Sequence, residues 1–119
     1  MKRRHFISTS VAAAASTGIV FADPKQKRRV AIIGHTGRGN YGHGLEAVWL
    51  NFPQVEIVGL ADANADGLAA EVTKLKIADD RAFADYRKML VETKTEFVSV
   101  ATRHADQHRE MCLAAIEAG

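Results

Sequence analysis

Cysteine is nearly missing from this chain. The single one, Cys112, excludes an intramolecular disulfide framework. Its neighbours Met111, Leu113, Ala114 and Ile116 make it read as a small buried hydrophobe rather than a nucleophile. A membrane-spanning run is missing too. The uncharged stretch at residues 8–22 is rich in Ala, Ser, Thr and Gly, too short and too mixed for the ~20 apolar residues a span requires. There is no internal repeat and no lasting excess of positive charge. The formal net charge of +2 depends on Lys2, Arg3 and Arg4; without them 16 basic residues become 13 against 14 acidic ones, a net of −1. A nucleic-acid partner thereby loses its electrostatic basis.

Those three basic residues open a segment unlike the rest. Residues 1–5 are basic, Phe6-Ile7 follows, the small apolar stretch comes next, and Val20-Phe21-Ala22 offers a small-residue exit. That is the layout of an export signal over residues 1–22. The pair Arg3-Arg4 before Phe6-Ile7 is similar to a twin-arginine signal, which carries folded proteins out of the cytoplasm. Residues 23–28 read as a linker, and residues 29–119 as one domain. The 97 residues beyond the leader can bury a core of their own, though a small one.

In that domain apolar runs alternate with helical patterns. Strands are expected at residues 29–33, 55–61, briefly at 81–83, and at 97–102. They are continuous apolar runs, as in parallel strands covered on both faces. Helices are expected at 41–51, with Leu45, Val48 and Trp49 inward, and from Asn64 as N-cap to about Lys76. A short one is expected after Asp85, and a last at 105–118 packing through His108, Met111, Cys112, Ala115 and Ile116. Gly119 is placed to cap it. The alternation predicts an α/β fold, a partial Rossmann-like doubly wound parallel sheet of about four strands in the order 3-2-1-4. Strand four would then be an exposed edge, open to pairing with a second chain.

The first strand runs into Gly34-His35-Thr36-Gly37-Arg38-Gly39. Strand, glycine turn and helix together place backbone N–H groups and a helix N-terminus against a phosphate. The later window Gly37-Arg38-Gly39-Asn40-Tyr41-Gly42 matches G-x-G-x-x-G literally, but the first glycine of a dinucleotide turn directly follows its strand. The register is therefore Gly34, Thr36, Gly39. It puts a β-branched residue where the second glycine would let the backbone approach a pyrophosphate, a role Gly37 can take over. Arg38 is either a pyrophosphate contact or a solvated loop residue. Asp62 ends the second strand, 28 residues after Gly34, where a carboxylate accepts hydrogen bonds from the adenosine ribose. It would repel a 2′-phosphate, and no Lys or Arg follows before Lys74. NAD is favoured over NADP. His104 and His108 are spaced i, i+4, as two metal ligands on one helix face would be, but no third ligand accompanies them.

These pieces in this order resemble the N-terminal nucleotide domain of the Gfo/Idh/MocA oxidoreductases. The matching segments are Val30-Ala31-Ile32-Ile33-Gly34, Val58-Gly59-Leu60-Ala61-Asp62, Asp85-Tyr86-Arg87-Lys88-Met89-Leu90, Val98-Ser99-Val100-Ala101-Thr102 and Ala114-Ala115-Ile116-Glu117-Ala118-Gly119. The resemblance implies that Thr102 and His108 approach the nicotinamide end of the cofactor. Arg103 stands where the family has proline, and His108 falls about one residue late. It also implies a sugar, cyclitol or other polyol as substrate, with a lysine of a Glu-Lys-Pro strand and a second domain completing the enzyme. Neither is in this sequence. The chain is therefore expected to bind a dinucleotide without catalysing hydride transfer alone. The alternatives are a part of an NAD-dependent glycoside hydrolase, or a non-catalytic binding module.

Overall fold

A computed structural model describes residues 26–119. The export-signal reading, and residues 23–25 of the linker, lie outside them. Four parallel strands form one sheet in the order β3-β2-β1-β4: β1 Arg28–Ile33, β2 Val55–Ala61, β3 Ala82–Phe83 and β4 Phe97–Val100. The expected order holds, and the strand ends differ by one or two residues. The α-helices are α1 Ala65–Leu75, α2 Tyr86–Thr93 and α3 His108–Glu117. Among the described residues no helix is long and apolar enough to cross a membrane.

The unbroken apolar character of β1 follows from burial on two sides. Val30 and Ile32 face one core with Tyr41, Ile57, Leu60, Val72 and Leu75. Ala31 and Ile33 face the other, with Ala61, Met89 and Met111. The β1–β2 register slips between Val30 and Ala31, leaving Val58 as an extra residue. Next to it Gly59 makes room for α2: a Cβ there would lie 2.7 Å from the Met89 side chain.

Local signals set the helix ends. Asn64 Oδ1 accepts the Gly67 N–H and starts α1; Asp85 Oδ1 accepts the Arg87 N–H and starts α2. Lys76 and Lys94, both left-handed, end those helices.

Three expectations fail. No α-helix forms at residues 41–51. Gly42 and Gly44 have φ of +64° and +85°, which no right-handed helix accommodates, so the chain winds through turns to a short 3-10 segment, Ala47–Asn51. The inward residues change accordingly. Glu46 is buried and Trp49 half-buried, while Leu45 and Val48 are exposed. At the other end α3 buries Met111 alone; Cys112 and Ile116 are exposed, so Cys112 is not a core residue. β4 is the outer strand, and among the described residues nothing beyond it covers the face that Cys112 and Ile116 share at i, i+4. A 3-10 segment, Ala105–Gln107, precedes α3, with His104 in extended backbone before it. His104 and His108 therefore do not share a helix face.

Candidate functional site

The sheet order reverses between β1 and β4, and at such a point the carboxyl ends of parallel strands open a crevice. Gly34 continues β1 there, donating its N–H to Ala61 O at 2.9 Å. It is covered by the Tyr41 ring, whose nearest carbon would lie 2.2 Å from a Cβ at Gly34. The turn then closes on itself. Asn40 O accepts the His35 N–H, His35 O accepts the N–H groups of Arg38 and Asn40, and Asn40 Oδ1 accepts the Gly37 N–H. Those amides are engaged by the chain's own oxygens, and with no α-helix behind the turn the helix N-terminus expected at a phosphate is not formed.

The turn is also fastened to the loop after β4. His35 Nδ1 donates to Gln107 Oε1 at 2.8 Å, Arg103 N–H donates to Gly39 O at 3.1 Å, and Arg38 pairs with Asp106 on the surface. The Arg38 guanidinium holds the Asp106 carboxyl below its usual value. Gly37 forms the exposed apex, with open space where a Cβ would project.

Asp62 is 1% exposed, and its carboxylate is the centre of a network. Oδ1 accepts the Thr36 N–H at 3.0 Å and the Asn64 N–H at 2.9 Å. Oδ2 accepts the Thr36 hydroxyl at 2.6 Å, the Tyr41 hydroxyl at 3.0 Å and the Thr36 N–H at 3.1 Å. Burial and the adjacent Asp62 charge push the Tyr41 phenol well above its usual value, so it remains a donor. The sequence position of Asp62 puts it at the crevice; its inward turn to Tyr41, whose spacing marks only a helix, carries no sequence signal.

Thr102 is buried at the end of β4. Its carbonyl accepts from His108 Nε2 at 2.5 Å, so His108 braces the β4–α3 loop. The eight candidate residues thus divide. Gly34, Thr36, Gly37, Arg38, Gly39 and Asp62 form one connected turn, and Thr102 with His108 forms a brace that Gly39 joins through Arg103 N.

Beside Tyr41 lies a second acidic group that the sequence did not reveal. Glu46, 1% exposed, pairs with Lys74, and Glu71 reaches the same ammonium at 3.5 Å. Among the described residues Glu46 Oε2, Glu71 Oε2 and Trp49 Nε1 have no hydrogen-bond partner. Burial, together with the Glu46 and Asp62 charges, raises the Glu71 carboxyl above its ordinary 4.5, with Lys74 opposing. The folded state therefore holds this proton more tightly than the unfolded one, and stability from this group falls as pH rises from 4.5 through the folded value. Glu71→Gln removes that falling limb and makes the domain more stable than wild type at pH 7. Urea denaturation at pH 4 and pH 7 checks it; an equal difference between the two proteins at both pH values would contradict it.

A glycine turn and a carboxylate at the carboxyl ends of adjacent strands, at the reversal of a 3-2-1-4 parallel sheet, define a dinucleotide-binding domain of the Rossmann class. The comparisons give the family. Residues 28–119 match the Gfo/Idh/MocA model, described as oxidoreductase family, NAD-binding Rossmann fold, and the chain belongs to that family. Among solved structures it is similar to a probable dehydrogenase from Thermotoga maritima, at 20% identity and a TM-score of 0.62, over 76% of this chain and 25% of that one. The chain spans about a quarter of that protein's length. No match is found among the curated proteins.

Proposed function

We propose that the chain is the NAD-binding portion of an exported oxidoreductase acting on a sugar, cyclitol or related polyol. The observation that carries the nucleotide part is Asp62 beside the Gly34 turn at the reversal of strand order. A carboxylate there repels a 2′-phosphate, which favours NAD over NADP. Hydride transfer also needs an acid–base group and a substrate wall around the nicotinamide, and the chain spans a quarter of the probable dehydrogenase it matches. On this reading residues 28–119 supply the NAD site, and the chain tested alone is expected to bind NAD without oxidising a polyol.

Calorimetric titration of the folded protein with NAD and NADP tests this. NAD is expected to bind more tightly than NADP, with no reduced cofactor formed when polyols are added. No heat at millimolar NAD, or steady turnover, would refute the respective part. Export rests on residues 1–22: with Arg3 and Arg4 both changed to Lys, a precursor is expected to remain in the cytoplasmic fraction, and unchanged export would refute the twin-arginine assignment.

A binding module without catalysis is the second reading. It is favoured by the outer edge of β4 and the exposed Phe97, Leu113 and Ile116 near it. A dimeric mass for folded protein that binds neither nucleotide would select it.

A further inference from the structure

A carboxylate offers about four acceptor positions, and in Asp62 all are engaged by the chain itself. Asn64 N–H and Tyr41 hydroxyl come from fixed positions, the helix start and the core. Thr36 differs. It sits on the turn, supplies both its amide and its hydroxyl, and makes the shortest contact, 2.6 Å to Oδ2. Its side chain also has a made seat. In the first turn of α1, Gly67 leaves a notch, and a Cβ there would lie 2.0 Å from Thr36 Oγ1 and 2.4 Å from Thr36 Cβ. Any residue but glycine at position 67 would push the threonine off the carboxylate. Thr36 is also the residue that stands in the second-glycine position of the turn.

The adenosine ribose, on the dinucleotide reading on which this rests, brings a pair of hydroxyl donors to the same carboxylate. Oδ2 already accepts three contacts, so a ribose hydroxyl reaches it only by displacing one of them. We infer that Thr36 is a built-in competitor of the adenosine ribose: its hydroxyl occupies the acceptor that the ribose needs, and NAD binds only after Thr36 has been lifted from Asp62. Binding is then weakened by the fraction of molecules in which the threonine is seated. A hydroxyl–carboxylate hydrogen bond of this kind amounts to a factor of about ten in affinity.

Truncating a competing threonine gives a gain in binding, which truncating a merely structural one would not. Thr36→Gly, and independently Thr36→Ala, are expected to bind NAD about tenfold more tightly than wild type. Thr36→Ser, which keeps the hydroxyl, is expected to stay at the wild-type value. Nicotinamide mononucleotide, which lacks the adenosine ribose, should bind all four proteins alike. Thr36→Ala keeps the test open if Thr36→Gly does not fold. Wild-type NAD affinity exceeded by neither truncation, or an equal gain for nicotinamide mononucleotide, overturns the inference while leaving NAD binding in place. Absence of NAD binding by every folded protein overturns the dinucleotide reading and the inference with it.

Discussion

Asp62→Ala is expected to destabilise the domain by about 4 kcal/mol. The substitution strands the Thr36 amide and hydroxyl, the Tyr41 hydroxyl and the Asn64 amide around a carboxylate site that is 1% exposed. Each orphaned donor costs about 1–3 kcal/mol, part of which water entering the vacated space recovers. For a domain of this size such a loss lowers Tm by roughly 15–30 °C. Asp62→Asn is expected to be far milder, about 1–2 kcal/mol. Its oxygen can serve the two backbone donors at Oδ1. Its amide can face the Thr36 and Tyr41 hydroxyls, which turn to accept. Denaturant titration of both variants checks the pair; an Asp62→Ala protein within about 1 kcal/mol of wild type would show that the network contributes little. The contrast bears on function as well. Loss of NAD binding in Asp62→Ala would follow from a collapsed turn as readily as from a lost ribose contact, so Asp62→Asn is the variant in which a ribose contact is read.

The sheet was legible because its signals are local and strong. Continuous apolar runs such as Val30–Ile33 need cover on both faces, and alternation with helical patterns leaves few topologies. Asn64 and Asp85 were legible as caps because a cap is a bond between residues two or three apart. The segment after the turn was misread for a definite reason. Leu45, Val48 and Trp49 have helical spacing, but Gly42 and Gly44 take left-handed backbone and reset the register, so Glu46 goes inward instead. Spacing cannot show that a glycine will take positive φ. The exposed face of α3 was misread because a helix pattern does not say whether anything lies beyond the last strand. For Asp62 the position was legible and its partners were not. Tyr41 and Thr36 reach it only through the path of the turn, which depends on contacts with Arg103, Asp106 and Gln107, about 65 residues or more further along the chain.

Gly39→Ala should be the more damaging of two superficially equal changes in the turn, Gly37→Ala being the other. Both glycines lie at positive φ, +88° for Gly37 and +94° for Gly39. An alanine at either position carries the left-handed penalty of about 1–2 kcal/mol. At Gly37 nothing lies within 4 Å of the added methyl, so the penalty stands alone. At Gly39 the methyl would lie 2.5 Å from His104 N and 2.6 Å from Arg103 N. These are backbone atoms, and relieving the overlap moves the whole β4–α3 loop. That motion opens the Arg103 N–H to Gly39 O bond and disturbs the loop that His108 braces at Thr102 O. Overpacking adds about 1–3 kcal/mol, for a total of about 2–5 kcal/mol against about 1–2 at Gly37. Thermal unfolding of the two variants measures the difference, and equal Tm values would show that the turn does not rest on the β4–α3 loop. A larger loss at Gly39 also assigns the glycines of this motif different work. In a dinucleotide turn a bare backbone is expected where the pyrophosphate comes close. Here the close approach at Gly39 is to the chain's own backbone, and it ties together the two loops that flank the crevice.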